Sequence, residues 1–298
     1  MQSWMDIKSK TDLVTGLEVK AAKECYATES DQVILEYKTS EVFARCAVQG
    51  AQLLEMKVNG EPLIWLSPNA LFDGHSAIRG GVPICLPWFG VHENKAAPKH
   101  GFARNQNWVL NDAIELDQGV LLDFTFTSDD HPFYPYAFNA RLRITLSSSP
   151  SFQLEVENKS QQTMPLGFAL HSYFAVADLE CTTVEELQGR TYLDNTKQLE
   201  AFSQVGPVAF GEEVDRVYEA ASDNQKLQNG LHQVRVSATG MPTCIVWNPG
   251  PAALAVADIG KAYTSYVCLE RGAAFADVIS LAPGETHKAT MAIEQSRD

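Results

Sequence analysis

Apolar and polar residues alternate with a period of two in segment after segment of this chain. Examples are Gln32–Tyr37 (QVILEY), Leu53–Val58 (LLEMKV), Val120–Phe126 (VLLDFTF), Phe138–Leu146 (FNARLRITL), Phe152–Glu157 (FQLEVE) and Gln233–Ser237 (QVRVS). Successive side chains of an extended strand point to opposite faces, so each segment offers an apolar face to a core and a polar face to water. Antiparallel strands covered on one side read this way. Turn formers separate them at Asn59-Gly60, Asp73-Gly74, Asn229-Gly230, Asn248-Pro249-Gly250 and Pro283-Gly284. No segment keeps a helical period beyond about three turns, and short helical turns are expected only near Pro68–Phe72 and Asp258–Tyr263. The pattern predicts an all-β chain, a large antiparallel β-sandwich. Residues 1–12 are expected to form a loosely ordered tail and residues 13–298 one domain.

Charge and cysteine usage narrow the function. The 37 acidic and 23 basic residues leave a net charge of −14, which argues against general binding to nucleic acid or to anionic membranes, since both need a broad basic surface. The N-terminal text MQSWMDIKSKTDLV has no basic head followed by an apolar run, so no signal peptide is expected, and no stretch reaches membrane-spanning length. Six cysteines are scattered without CxxC pairs, most in apolar contexts such as PICLPW, TCIVW and YVCLE. Such usage fits buried reduced thiols in a cytoplasmic protein better than a disulfide framework or a zinc site. The histidines show neither HxH nor HExxH spacing, and there is no Walker loop, no GxGxxG after a strand and no GxSxG elbow. No metal is therefore expected, and a metal-binding jelly roll loses ground.

Against the acidic background one stretch is basic. Between Arg79 and Asn111 the chain holds Arg79, Lys95, Lys99 and Arg104 against a single carboxylate, Glu93, among Gly, Pro and aromatic residues. The paired glycines after Arg79 allow close backbone approach or positive φ. In Lys99-His100-Gly101-Phe102-Ala103-Arg104 two cations and an imidazole lie within six residues; the arginine fork matches phosphate oxygens and lysine adds a point charge. Each cation alone reads as an ordinary surface charge; together they point to an anion site. His171, in LGFALHSYF, fits a satisfied core histidine or a proton donor equally well. Glu270 closes YVCLE and shares a strand face with Cys268 and Tyr266, as a solvent-facing glutamate or as a general base at a pocket. Asp215, in EEVDRVY, carries the same ambiguity.

Taken in order, IRGGVPICLPWFG, KHGFARNQNW, ALHSYF, EVDRVY, VWNPG and VCLE…LAPGE resemble the glucose-6-phosphate 1-epimerase branch of the aldose 1-epimerase (galactose mutarotase-like) superfamily. The resemblance spans roughly residues 30–293, and the first two motifs are the specific ones. It implies a β-supersandwich that uses no metal or organic cofactor and acts on a phosphorylated hexose; a monomer is expected. It also implies roles: His171 as general acid, Glu270 as general base, Arg79 and Arg104 as sugar-phosphate ligands, and Asp215 as a holder of sugar hydroxyls. His100 and Lys99 join the substrate-binding set. The residue before HGFAR is usually glutamine in the family and is Lys99 here, which adds a cation beside the expected anion. Downstream of Glu270 the text RGAAFADVISL is also less typical.

The implied reaction interconverts the α and β anomers of a hexose 6-phosphate, glucose 6-phosphate foremost. Glu270 would take the proton from O1 while a protonated His171 gives one to O5, the two groups standing on opposite sides of the ring. Two rival readings remain: a mutarotase for a neutral sugar, and a non-catalytic carbohydrate-binding sandwich with an aromatic platform of Trp88, Phe89, Phe102 and Trp108.

Overall fold

A computed structural model describes residues 2–230 and 232–296. Among them, strands assemble into two large antiparallel sheets and one small one. The first, of 13 strands, runs Leu17–Ala21, Val33–Lys38, Val42–Ala47, Gln52–Val58, Glu61–Ile64, Tyr173–Ala175, Tyr266–Ala273, Thr243–Asn248, Val214–Tyr218, Thr191–Asp194 and Glu200–Ser203, with Phe168–Leu170 and Ile84–Cys85 attached beside Tyr266–Ala273. The second, of nine, is centred on Thr286–Ser296, Ser151–Asn158, Phe138–Leu146 and Gly119–Ser128. The six segments expected from alternation are all strands, within a residue or two of their expected ends. Phe138–Leu146 shows why: its odd members are under water's reach while Phe138, Ala140, Leu142, Ile144 and Leu146 are buried. Leu142, Ile144, Leu154 and Met291 of one sheet share a core with Val246, Val267 and Leu269 of the other, which makes the expected sandwich.

The helical expectations fare less well. Residues 4–11, expected within a loose tail, form the helix Trp4–Thr11. Ser3 and Asp6 cap it reciprocally, Ile7 and Thr11 are buried, and the Gln2 side chain exchanges two hydrogen bonds with the Leu110 backbone (2.8 and 2.9 Å). So short a helix shows little periodicity, and its position comes from covering the edge strand Val109–Leu116. Near Pro68–Phe72 there is only a turn, whereas Gly260–Ser265 is a 3-10 helix overlapping the second expected turn. No described helix is long and apolar enough to cross a membrane.

The paired glycines have a local purpose. Gly80 and Gly81 have φ of 105° and 70°, and a Cβ on Gly81 would lie 2.1 Å from the Leu53 carbonyl oxygen. There Gly81 N–H bonds to the Trp65 carbonyl (2.6 Å) and Val82 N–H to that of Leu53 (2.7 Å). The close approach is thus to the chain's own strands rather than to a ligand. It fixes the backbone from which Arg79 projects.

Tyr266–Ala273 is the central strand for function, buried along its whole length. Val267 and Leu269 face the core between the sheets, while Tyr266 and Cys268 join Tyr173, Ala253 and Ile259 in a separate cluster on the other face. Glu270 continues that second face and Arg271 the first. Arg271 is fully buried; its guanidinium donates to the carbonyls of Ser222 (2.9 Å) and Met241 (2.6 Å) and to the Gln225 side-chain oxygen. These bonds hold the strand that presents Glu270.

Candidate active site

A cavity of about 600 Å³ opens on the Glu270 face of the large sheet. The seven residues expected to catalyse or bind substrate line it: Arg79, Lys99, His100, Arg104, His171, Asp215 and Glu270. Lys95 is exposed and is not among the lining residues. A smaller depression of about 340 Å³ lies over Thr125, Asn139 and Arg141 of the other sheet. Its ionic groups are already engaged, Arg141 with Asp123 (2.5 Å) and Glu155 with Arg143 (3.2 Å), so the chemistry belongs to the larger cavity.

His171 follows the short strand Phe168–Leu170, and its N–H is tied to the Pro83 carbonyl (2.9 Å). Its ring stacks on Tyr173 (4.8 Å between centroids, 9° between planes) and meets the edge of Trp247 (5.9 Å). These contacts fix the imidazole plane. Nε2 lies 3.4 Å from Glu270 Oε1. Both residues are buried, at 6% and 1% exposure, which excludes a solvent-facing Glu270. His171 Nδ1, Glu270 Oε2 and Arg104 Nε have no hydrogen-bond partner in the protein. Such orphaned buried polar atoms are rare and costly; three of them on one cavity mark a surface built for a polar ligand.

The separation corrects one expectation. No sugar ring fits between groups 3.4 Å apart, so His171 and Glu270 stand side by side. That arrangement still suits anomerisation, because O1 and O5 are both bonded to C1 and neighbouring groups can reach them together.

Burial sets the protonation of the pair. It pushes the Glu270 carboxyl well above its usual range, and the Asp215 carboxylate adds to the effect against Lys99 and Arg104. Burial also pushes His171 well below its ordinary value, reinforced by Arg104, Arg79 and Lys99. Burial thus works against the charged form of both groups, raising the proton affinity of the carboxyl and lowering that of the imidazole. Burial first, and the three cations after it, oppose the protonated His171 that the expected reaction needs.

His100 is buried and has φ of 66°. The Gly90 N–H donates to its Nδ1 (3.2 Å). That bond places the ring proton on Nε2. Burial and the nearby His171, Arg104 and Lys99 keep the ring neutral, so His100 is a fixed neutral donor set edge-on to His171 (5.6 Å).

The cations differ in what they have free. Arg79 donates from Nε to Asp258 (3.0 Å) and from Nη1 to the Tyr173 hydroxyl (3.1 Å), so its charge is already met by a carboxylate. Arg104 donates from Nη2 to the Lys99 carbonyl (2.8 Å) and keeps the rest of its fork. Lys99 is exposed at the rim. Asp215, raised by burial, accepts from Asn195 Nδ2 (2.6 Å). Sequence reasoning missed Asp258, Tyr173, Asn195 and Trp247. Tyr173 and Trp247 lay inside quoted motifs and could have been found there; Asp258 and Asn195 sit in turns without a local signal.

The imidazole, thiol and carboxyl of His171, Cys268 and Glu270 lie within 4.8 Å of one another, a donor set able to ligate a metal ion. Arg79, Lys99 and Arg104 on the same cavity oppose a divalent cation there. Of the four aromatics of a possible sugar platform, Phe89 lines the cavity, Phe102 and Trp108 are core residues and Trp88 packs against that core, which removes that platform.

Comparison with known proteins agrees with this geometry. The family model described as aldose 1-epimerase matches residues 34–294. A protein of Cenchrus ciliaris described as "Putative glucose-6-phosphate 1-epimerase" is 36% identical over 273 residues, covering 84% of this chain and 80% of its own. One of Escherichia coli K12 with the same description is 34% identical, covering 81% and 83%. The crystal structure of a "putative mutarotase" from Salmonella typhimurium superposes with a TM-score of 0.87 at 28% identity, covering 96% of this chain and 95% of that one.

Proposed function

Since the chain belongs to the aldose 1-epimerase family, we propose that it interconverts the α and β anomers of a hexose 6-phosphate, with glucose 6-phosphate as the preferred substrate. The observation that carries this reading is the contact of His171 and Glu270 on the floor of a cavity whose rim holds Lys99 and Arg104. The anomeric carbon lies at the pair and the phosphate at the two cations. Arg79, already paired with Asp258, holds a sugar oxygen rather than the phosphate charge. Asp215, Asn195 and the Nε2–H of His100 hold further hydroxyls.

The phosphate also prepares the acid. Arg104 and Lys99 are among the charges that oppose a proton on His171; a bound dianion offsets them, so that the reactive form has His171 protonated and Glu270 ionised. Glu270 then removes the proton from O1 as His171 protonates O5, and the C1–O5 bond breaks. The aldehyde turns about C1–C2, and closure on its other face reverses both transfers. Each positioned proton transfer supplies about 10²–10⁴-fold, and fixed orientation adds to it. No electron changes hands, so the chemistry needs no redox group.

A cytoplasmic enzyme is the further reading, which the six unpaired cysteines suit, and a monomer is proposed with it. The test is one-dimensional NMR exchange between anomeric protons of glucose 6-phosphate and of glucose. Acceleration of the phosphosugar well above that of glucose is expected. Equal acceleration refutes the phosphate assignment, and none refutes the epimerase.

A further inference from the structure

Phe275 is an outlier that the reaction above does not use. It follows the Glu270 strand, inside the text RGAAFADVISL, and its φ is 56°. A bulky residue in the left-handed region is strained, and glycine is the residue that adopts it without strain. The surrounding chain enforces the conformation. Ala274 N–H donates to Thr243 Oγ1 (3.0 Å), Ala276 N–H to Glu219 (2.8 Å), and Asp277 accepts from both Ala220 N–H (3.0 Å) and Thr243 Oγ1 (2.8 Å). Strain held in place this way is concentrated at functional sites.

The strained residue turns its ring to the cavity. Phe275 lines it, is 36% exposed, and lies 6.1 Å from Phe89, which also lines it. Leu199, with φ of 63° and 37% exposure, is a second apolar lining residue in the left-handed region. Core packing does not account for either side chain. A pyranose presents two C–H faces between its polar edges, and an aromatic ring offers a flat electron-rich surface to such a face.

We propose that Phe275 is a specificity-determining residue whose ring, beside Phe89, forms the wall on which the C–H face of the bound hexose packs. This rests on the anomerase reading of the same cavity. A hexose whose C2, C3 and C4 hydroxyls are all equatorial lies flat on the wall. An epimer with an axial hydroxyl toward the ring is lifted from it, so the wall selects glucose 6-phosphate over galactose 6-phosphate.

Phe275→Ala and Phe275→Gly both delete the ring, and only the second relieves the backbone. Anomer exchange is measured on both sugar phosphates, and thermal melting on all three proteins. KM for glucose 6-phosphate should rise about three- to tenfold in both variants, with a smaller change for galactose 6-phosphate, so that the preference narrows. Phe275→Gly should melt above Phe275→Ala. An active wild type whose variants keep the same KM, or lose both sugars equally, overturns the wall. A glycine variant melting below the alanine one overturns the strain that points to it. A wild type inactive on both sugars refutes the anomerase reading itself, and the wall with it.

Discussion

Side-by-side placement of His171 and Glu270, 3.4 Å apart, predicts that they fail as a unit. The perturbations are His171→Asn, Glu270→Gln and the double variant. Removing either partner should lower kcat by about 10²–10⁴-fold, roughly 3–5 kcal/mol of barrier. Were the two independent, the double variant would lose the product, about 10⁴–10⁸-fold. If each transfer needs the other group to hold or release the shared proton, the double variant should stay within about tenfold of the worse single one. Glu270→Gln keeps the shape of a buried side chain whose charged form burial disfavours, so folding should be preserved in circular dichroism and melting. The assay is saturation transfer between the anomeric protons of glucose 6-phosphate, with the spontaneous rate subtracted. Multiplicative losses, or near-wild-type turnover in either single variant, would refute the shared-proton argument.

Other consequences follow from the same structure. Arg104→Ala removes the fork left free for phosphate; at about 1.5–3 kcal/mol for a charge-assisted bond, glucose 6-phosphate affinity should fall about ten- to a hundredfold. Titration calorimetry should show a much smaller change for glucose, and equal losses would remove Arg104 from the phosphate. The Glu270 carboxyl, raised in the folded state, retains a proton that the unfolded chain releases above pH 4.5. Its stabilising contribution is therefore complete below that pH and is lost as pH rises through the folded value. His171, lowered in the folded state, acts oppositely: its contribution is present above pH 6.5 and is lost as pH falls. The melting temperature of Glu270→Gln relative to wild type should thus climb with pH, and that of His171→Asn should climb as the solution is acidified; flat differences would contradict the buried-neutral pair. Gly81→Ala drives a Cβ to 2.1 Å from the Leu53 carbonyl oxygen at positive φ, and should cost about 2–4 kcal/mol or more. A melting temperature equal to wild type would contradict that.

Much of the site was legible because its residues sit in short, chemically distinctive texts. Arg79, His100 and Arg104 stand in two loops rich in glycine and proline, and Lys99 was visible as an added cation. Roles were less legible. Four cations read alike in sequence, yet Lys95 stands outside the cavity lining, Arg79 is paired with Asp258, and Arg104 keeps most of its fork free. The aromatics read alike too, yet Trp108 is core, Phe89 is wall, and Phe275 stands in a strained turn.

The sequence by itself determined the strands, their buried faces and the motifs that announce the family, because a period of two and local turn chemistry act between near neighbours. It determined that Glu270 and Cys268 share a face. Only the tertiary structure decided that His171 meets Glu270 in contact rather than across a ring, and that burial raises the proton affinity of the carboxyl while lowering that of the imidazole. Proton affinity depends on burial and on charges contributed by strands and loops far apart in the chain, and those are brought together only when the sheet closes around the cavity.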